Sequence, residues 1–504
     1  MPDAVAARLN DLGLAATPEE TASVAGEVAS IRERLAALAV VLTRSDGVGV
    51  FDGLLRAAAV VGQAAAAGQA APPEPAPAAA RNVASDEIIA GVERALAAAH
   101  DRGEALNAFV DHFDDSARRR ARAVARRSAE DAPLRGVPYA FKDAFATAGR
   151  RPTVGIGAGH RWEGRRASTT LARLDAAGAV AIGALNLDPH CYTAVGLNPH
   201  FGRVLNPHDP RVAVGGSSSG AAAVVAAGLV PFAIGTDTGG SVRIPAALCG
   251  VYGFKPTHGL LTDPGLAPLC PSQDTPGILA NSPEMAERVF AVLAPSAAPA
   301  TVPGRLRIGV CRPEFTAGVD AEVAAVFEAT LAGLAASGAE IVDVPFPALD
   351  ALNLCASVIT GFEATILHAA EMARTPQFYP APVRRRLLTA ACIDAGLYRT
   401  ARRLRGRYLA EVLATSLASV DVLVCPTLRK VAPRVDHLAE DDIPAAGALG
   451  LEFLRMNRPF SLLGLPALSV PSGVDVHGLP VGLQWIGRPH ADRTLLALAG
   501  SHLP

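Results

Sequence analysis

Clustered cysteines and an excess of charge are both missing from this 504-residue sequence. Its seven cysteines are scattered and form no Cys-x-x-Cys pair, which argues against a zinc-finger site and a disulfide framework. The 46 basic residues face 48 acidic ones, for a net charge of −2. This balance argues against a general nucleic-acid binder, which would carry a basic excess or stripe. Because half of the residues are hydrophobic, the chain can bury a large core.

Long apolar runs are missing as well. The most apolar N-terminal stretch, residues 35–42, is eight residues long, whereas a membrane-spanning helix needs roughly 20. The first residues lack the basic start and apolar centre of a secretion signal. We therefore expect a cytoplasmic protein that binds no membrane.

Lysine is the rare basic residue of this chain. Only Lys142, Lys255 and Lys430 occur among the 46 basic residues, and the others are arginine. Arginine can supply positive charge but cannot lose its proton at working pH. A lysine that remains is therefore a candidate for proton-transfer chemistry.

The chain is predicted to divide at a proline-rich segment, residues 71–81, which is typical of a Pro/Ala linker. Residues 1–70 predict a small helical module, with Thr17 as an N-cap and apolar residues at steps of three and four. We expect this module to be a docking arm or solubility cap without chemistry of its own. Apolar faces within residues 20–70 leave a homodimer open. Residues 82–504 predict a second, larger domain.

The second domain alternates strand-like and helical segments. The predicted helices cover 85–98, 106–127, 221–227 and 321–336, and the predicted strands cover 176–184, 228–235, 306–311 and 421–427. This alternation predicts an α/β fold with a mixed β-sheet covered by helices on both faces.

Two Gly/Ser clusters are the most unusual feature, GGSSSG at 215–220 and TDTGGS at 236–241. They flank an apolar segment, which a flexible linker would not do. Such turns place hydroxyls beside backbone N–H groups, as an acyl-transfer site requires. GGSSSG lacks the Gly-Lys-Ser/Thr ending of a phosphate-binding Walker loop. It also matches a Gly-x-Ser-x-Gly nucleophile elbow centred on Ser218, but a poor strand precedes it.

The stretch GGSSSG…GTDTGGSVRIPAALCGVYGFKPT closely resembles the signature of the amidase signature family. LRGVPYAFKDAFATAG, residues 134–149, is similar to that family's lysine motif, and collinear resemblance extends over about residues 82–500. The resemblance implies an amidase signature fold for residues 82–504, with the N-terminal helices as an extension. It further implies an amidase that hydrolyses carbon–nitrogen bonds of linear amides through an acyl-enzyme, with no metal and no cofactor.

By resemblance, the catalytic triad is Ser241, Ser217 and Lys142. Ser241 is expected to attack the substrate carbonyl. Ser217, held in the family by a cis peptide after Gly216, would pass the proton between Ser241 and Lys142. The lysine must be neutral to act as a base, a form that burial or neighbouring charge can favour.

The resemblance also implies roles around this triad. The oxyanion hole is expected to consist of the backbone N–H groups of Thr238, Gly239, Gly240 and Ser241. Asp237 and Arg243 are expected to form a buried ion pair that shapes the turn. Ser218 is expected to support the lysine and the serine by hydrogen bonding, and Lys255 to be structural.

The scattered histidines do not have the spacing of metal ligands. Their positions, 160, 190, 200, 208 and 258, contain no pair at helical i, i+4 spacing, so no metal site is predicted.

Substrate and partners are less specified by the sequence. The expected partner is a small amide-type molecule, and alternatives are urea, carbamate, hydrazide or ester substrates. A second alternative is a glutamine-hydrolysing A-subunit of an amidotransferase complex. The acyl pocket is expected within residues 190–200, 265–272, 353–365 and 440–457. Tyr192, Phe362 and Leu451 are the specificity residues expected there.

Overall fold

The computed structural model describes residues 2–42, 46–58, 84–128, 132–157, 162, 164, 166–438 and 443–501. The predicted linker at 71–81 lies outside these residues, as does His160. The division of the chain at this linker therefore stays a prediction.

The described elements alternate along the chain. The strands are β1 Phe109–His112, β2 Pro138–Lys142, β3 Val180–Leu185, β4 Phe232–Asp237, β5 Tyr252–Lys255, β6 Thr275–Ala280, β7 Arg307–Val310, β8 Glu340–Asp343, β9 Val422–Pro426, β10 Ala467–Val474 and β11 Pro480–Ile486. The helices are α1 Pro2–Asp11, α2 Pro18–Ala39, α3 at 50–58, α4 Ser85–Ala98, α5 Asp114–Ala125, α6 Thr169–Ala176, α7 Ser219–Ala226, α8 Arg243–Cys249, α9 Pro283–Leu293, α10 Arg312–Phe315, α11 Ala321–Ala336, α12 Leu349–Arg374, α13 Ala381–Ala391, α14 Ala395–Ala414, α15 Ile443–Leu454, α16 Arg458–Leu462 and α17 Asp492–Ser501. A π-turn covers Ala99–Gly103, and 3₁₀ turns cover Pro189–Cys191 and Pro376–Phe378.

All of these strands belong to an 11-stranded mixed sheet with the order β1-β3-β2-β4-β6-β5-β10-β11-β9-β7-β8. The neighbours β2–β3, β2–β4, β7–β8 and β7–β9 are parallel, and the other pairs are antiparallel. The predicted mixed sheet is confirmed.

Helices cover both faces of the sheet because successive strand residues point in opposite directions. In β2, Tyr139 and Phe141 belong to an apolar cluster with α6, α9, α11 and α17. Ala140 belongs to the opposite cluster, with α4, α5, α7 and α8. The predicted two-sided covering is therefore confirmed.

The neighbouring parallel strands β3, β2 and β4 end at the same edge of the sheet. In the sheet, β2 lies between β3 and β4, with Lys142 paired to Leu185 and Phe141 paired to Ile234. Parallel neighbours end at the same edge of a sheet, and the loops that follow them meet there. This edge brings Lys142 close to the residues that follow β3 and those that end β4.

The N-terminal helices pack on this same chain. Thr17 caps α2 and forms a capping box with Glu20, as its N-cap pattern predicts. Val24 and Val28 of α2 are buried in a cluster with α13, and Leu35 is buried in a cluster with α14. These apolar residues are thus covered within the chain and are not available to a dimer partner.

The predicted helix at 106–127 is wrong in its first half. Asn107 has a positive φ of 53°, which ends the helical path, and Phe109–His112 instead forms β1 beside β3. The remaining part is α5. The predicted helices at 85–98, 221–227 and 321–336 and the four predicted strands overlap observed elements of the same type.

One described helix, α12, is long and apolar enough to cross a membrane by length and composition. In the fold it packs against α13, α14 and α16, and half of its most apolar window is buried. Core helices of globular proteins share these properties.

Candidate active site

Lys142 lies at the centre of a buried polar cluster at the parallel edge of the sheet. It is the last residue of β2 and is fully buried. Its Nζ donates to Ser217 Oγ at 2.7 Å and to Thr236 Oγ1 at 2.7 Å. Thr236 belongs to β4, so adjacent parallel strands supply the amine and one of its two acceptors. Two of the three predicted triad residues are therefore in direct contact.

Ser217 lies in the turn before α7, and the Gly216–Ser217 peptide is cis. Its hydroxyl also donates to the Cys191 carbonyl at 3.4 Å. Residue 216 must be glycine, because a Cβ there would overlap the Asp188 carboxylate. The turn thus fits tightly against the segment that follows β3.

Asp188 supports this turn from the β3 side. Its carboxylate accepts from the Thr193 hydroxyl at 2.7 Å and from the N–H groups of Val195 and Gly196 at 2.9 and 3.1 Å. Burial raises the pKa of Asp188, although these hydrogen bonds and the Lys142 charge oppose the change. The carboxyl group therefore holds the 193–196 loop beside the cis turn.

Ser241 lies in the turn between β4 and α8, with its side chain lining a small cleft. The Ser218 N–H donates to the Ser241 carbonyl at 3.1 Å and links the two Gly/Ser turns. Among the described residues, no hydrogen bond joins the hydroxyls of Ser241 and Ser217. Catalytic hydrogen bonds of free enzymes are often long and tighten when substrate binds.

Asp237 and Arg243 form the buried ion pair that the sequence predicts. Both side chains are fully buried, and Arg243 Nε and Nη2 each lie 3.0 Å from an Asp237 oxygen. Burial alone would raise the pKa of Asp237, but the Arg243 charge and hydrogen bonds outweigh it and lower the pKa. Ser461 and Gln484 form further hydrogen bonds with this pair. The turn that carries Ser241 is thereby anchored to α16 and β11.

The backbone N–H groups predicted to form the oxyanion hole differ in whether they already donate a hydrogen bond within the chain. The Gly240 N–H already donates to Asp237 Oδ1 at 2.9 Å, so the expectation for Gly240 must be corrected. A donor bonded to a buried carboxylate is not aimed at the cleft. The N–H groups of Thr238, Gly239 and Ser241 donate to no acceptor in the described part of the chain.

Ser218 also differs from its prediction. Its Oγ bonds to the backbone N–H and carbonyl of Thr236, each at 3.2 Å, instead of to the lysine or serine side chains. It therefore holds in place the strand residue whose hydroxyl accepts from Lys142.

The cleft beside Ser241 is formed by all four predicted pocket segments. Its lining includes Tyr192, Leu269, Thr360 and Leu454. Two of the three expected specificity residues are elsewhere. Phe362 stacks on Tyr398 at 4.4 Å between ring centroids, and Leu451 is exposed.

Two arginines that the sequence analysis did not identify also line the cleft, Arg386 of α13 and Arg458 of α16. Arg386 donates to the Tyr192 carbonyl and lies over its ring, and Arg458 donates to Ser357 Oγ at 2.6 Å. Burial, reinforced by the charge of Arg386, lowers the pKa of Arg458 to about 10. Within the described residues neither arginine forms an ion pair with a carboxylate. The cleft therefore carries positive charge beside Ser241.

Some of the site residues that the sequence analysis did not identify lie in or near segments that it had noted, and others do not. Thr236 stands inside the TDTGGS cluster already singled out, and Asp188 follows shortly after the predicted strand at 176–184. Arg386 had no local signal, because arginine is common throughout this chain.

Comparisons with known proteins give consistent relationships. A family model described as Amidase matches residues 90–496. The A-subunit of the glutamyl-tRNA(Gln) amidotransferase of Cupriavidus necator is 31% identical over 476 residues, covering 84% of this chain and 93% of that protein. A crystal structure of an amidase has a TM-score of 0.75 and 32% identity, covering 82% of this chain and 95% of its own. The structure of 6-aminohexanoate cyclic dimer hydrolase complexed with substrate has a TM-score of 0.72 and 26% identity, covering 83% and 93%.

Proposed function

Since this chain belongs to the amidase family of carbon–nitrogen hydrolases, we propose that it works through an acyl-enzyme on Ser241, with Ser217 and Lys142 as the proton relay. The observation that carries this proposal is the buried 2.7 Å contact between Lys142 Nζ and Ser217 Oγ. A buried amine whose nearest partners are hydroxyl groups can serve as a proton acceptor once it is neutral.

The proposed reaction has two halves. Ser241 Oγ attacks the amide carbon while its proton moves to Ser217, and the Ser217 proton moves to neutral Lys142. The tetrahedral intermediate collapses, the carbon–nitrogen bond breaks, and the proton returns through Ser217 to the leaving nitrogen. Water then attacks the ester carbonyl by the same relay and releases the acid and free Ser241.

The developing oxyanion is proposed to bind the N–H groups of Thr238, Gly239 and Ser241. These donors have no other acceptor among the described residues, in contrast to Gly240. Loss of one such donor typically costs about 100- to 1,000-fold in rate.

The two cleft arginines support a substrate that carries an anionic group near its amide. Arginine binds carboxylates with paired, charge-assisted hydrogen bonds. Arg386 and Arg458 lie in the same cleft as Ser241 and lack a carboxylate partner in the described chain. We therefore propose an amide whose acyl part ends in a carboxylate.

Glutamine hydrolysis for an amidotransferase complex is a second candidate. Its support is the relative named as the A-subunit of an amidotransferase, together with the positive cleft, since glutamine carries a carboxylate. If the purified chain hydrolyses simple anionic amides alone, the first candidate is favoured. If it hydrolyses glutamine only when the other proteins of such a complex are added, the second is favoured.

We further propose that the protein acts in the cytoplasm on a small molecule. The seven cysteines are all free and six are buried, which suits a reducing compartment. Val24, Val28 and Leu35, which belong to the apolar face that left a homodimer open, are covered within the chain, and sedimentation of the purified protein tests whether the remaining surface pairs.

The nucleophile is tested by treating the purified chain with a fluorophosphonate and locating the adduct by peptide mass spectrometry. An adduct on Ser241 that disappears in Lys142→Ala is the expected result. An adduct on Ser218 would instead favour the nucleophile-elbow interpretation and overturn the proposed triad.

The charge preference is tested with two amides of similar size, succinamate and butyramide. We expect Arg386→Met to lower kcat/KM for succinamate by about 10- to 100-fold, the value of a hydrogen bond to a charged group, while butyramide changes little. Arg399→Met, on an exposed position of α14, is the matched control. Equal losses for both amides would contradict carboxylate recognition by Arg386.

A further inference from the structure

A cluster of two histidines and one glutamate lies at the β1 edge of the sheet. His100 belongs to the π-turn that continues α4, Glu104 follows that turn, and His112 ends β1. We infer that His100, Glu104 and His112 bind a single divalent transition-metal ion of the zinc type. None of the three lines the cleft beside Ser241, so this site is separate from the amide chemistry.

The ligand atoms have the spacing that a small ion requires. Glu104 Oε1 lies 3.5 Å from His100 Nδ1 and 3.7 Å from His112 Nε2. All three candidate ligand atoms lie within 4.8 Å of one another. Ligands at 2.0–2.2 Å from a tetrahedral ion are about 3.4 Å apart. The two distances from Glu104 are therefore close to this spacing, whereas the His100–His112 distance must shorten when an ion binds.

Asp114 provides the hydrogen bond that orients a metal-binding histidine. Its Oδ1 lies 2.9 Å from His100 Nε2, the ring nitrogen that faces away from Glu104. A carboxylate at this position accepts a hydrogen bond from the Nε2–H group, so that in the neutral imidazole Nδ1 presents its lone pair. Metal-binding histidines usually donate a hydrogen bond from their second ring N–H to such a group. The pairing thus places His100 in the tautomer that the proposed site needs.

His112 can turn to complete the site. Its ring stacks on His100 with centroids 4.2 Å apart and planes inclined by 22°, so its lone pair must rotate toward the ion. Its Nδ1 is buried without a hydrogen-bond partner among the described residues, and no bond at that atom holds the ring. Rotation about the Cβ–Cγ bond therefore breaks no hydrogen bond at Nδ1, although it disturbs the stacking of the ring on both His100 and Phe109.

The donor set selects the kind of ion. Two imidazoles and one carboxylate favour zinc and its borderline neighbours, whereas magnesium and calcium prefer oxygen ligands. The side chains of His100 and Glu104 are 47% and 62% exposed, so solvent can reach a fourth position. An ion here would join the end of α4 to the edge strand β1 and stabilise the folded chain by mass action.

The test is a titration of the full-length, chelator-treated chain with zinc chloride by calorimetry, followed by metal analysis after desalting. We expect one zinc ion per chain, with loss of saturable binding in His100→Gln and in His112→Gln. Asp114→Asn should weaken binding by about 10- to 100-fold, since it removes only the orienting group. Zinc should also raise the Tm of the unaltered chain, and circular dichroism checks that each variant is folded.

The control is His437→Gln, which removes an exposed histidine beside another aspartate, Asp436, at 3.9 Å. It should bind zinc like the unaltered chain. The inference is overturned if the unaltered chain takes up no zinc, or if folded His112→Gln retains the same affinity. Zinc loss in His437→Gln with retention in His100→Gln would place the ion elsewhere and would equally overturn it.

Discussion

Two strands of the sheet end in a buried lysine, and only one of these lysines contacts hydroxyl groups. Lys142 ends β2 and Lys255 ends β5, and both are fully buried. Lys142 donates to the hydroxyls of Ser217 and Thr236. Lys255 donates to the Pro256 carbonyl at 2.8 Å. The difference lies in the partners, since both lysines are equally removed from solvent.

The surroundings of the two lysines also differ in charge. Burial, reinforced by the charge of Arg243 and opposed by the charges of Asp237 and Asp492, lowers the pKa of Lys255 to about 7. Lys255 thus adjoins the ion pair that anchors the turn, and its own donor contacts only a carbonyl, which cannot pass on a proton. A hydroxyl can both donate and accept, so the Lys142 site alone offers a path for protons. Burial by itself therefore does not identify a catalytic base.

The largest expected effect comes from exchanging the two lysines for methionine. Lys142→Met should lower kcat for amide hydrolysis by about 100- to 10,000-fold, because a general base is lost. Lys255→Met should keep most activity, because its amine contacts no hydroxyl of the relay. Steady-state kinetics of both folded variants measure this contrast, and equal activities would remove the proposed distinction.

The ion pair beside Lys255 should matter for stability. Asp237→Asn leaves Arg243 buried without its charge partner and should lower the free energy of unfolding by about 3–5 kcal/mol. The control is Asp209→Asn, which breaks the solvent-exposed pair with Arg211. Urea denaturation measures both, and we expect a far smaller change for the exposed pair. Similar losses in the two variants would show that the buried pair has no special role.

The variant Thr236→Val tests whether the second hydroxyl partner of Lys142 contributes to activity. Removing this acceptor leaves Ser217 as the remaining hydroxyl partner of Lys142 and should lower kcat by about 10- to 100-fold, the equivalent of one hydrogen bond to a charged group. Thr170 of α6 has the same 4% exposure, so Thr170→Val controls for the substitution itself. An unchanged kcat in Thr236→Val would mean that this contact does not support the base.

A pH dependence of stability is also expected from Lys255. Its pKa is about 7 in the folded chain against 10.5 ordinarily, so the unfolded chain binds more protons between these values. The free energy of unfolding should therefore rise with pH from about 7 to 10.5 through this group. Lys255→Met should flatten that rise in urea denaturation at pH 7 and pH 10. An identical slope in the variant would contradict the depressed pKa.

The sequence distinguished the two lysines only in part. The two lysines stand in similar strand-like segments, AFK and GFK. The sequence separated them by family resemblance, which assigned Lys142 to the relay and Lys255 to structure. It did not identify Thr236 as the second partner of Lys142, because that contact depends on β4 lying beside β2. The role of Ser241 as nucleophile stays a prediction until an adduct is located.

Local patterns alone determined the helix and strand alternation, the cap at Thr17 and the two Gly/Ser turns, since periodicity and turn chemistry act over a few residues. Only the tertiary structure decided that Gly240 donates to Asp237. It also brought Arg386 and Arg458 to the Ser241 cleft from helices far along the chain. Such contacts follow from strand order and helix packing, which join residues hundreds of positions apart and leave no mark in the local pattern.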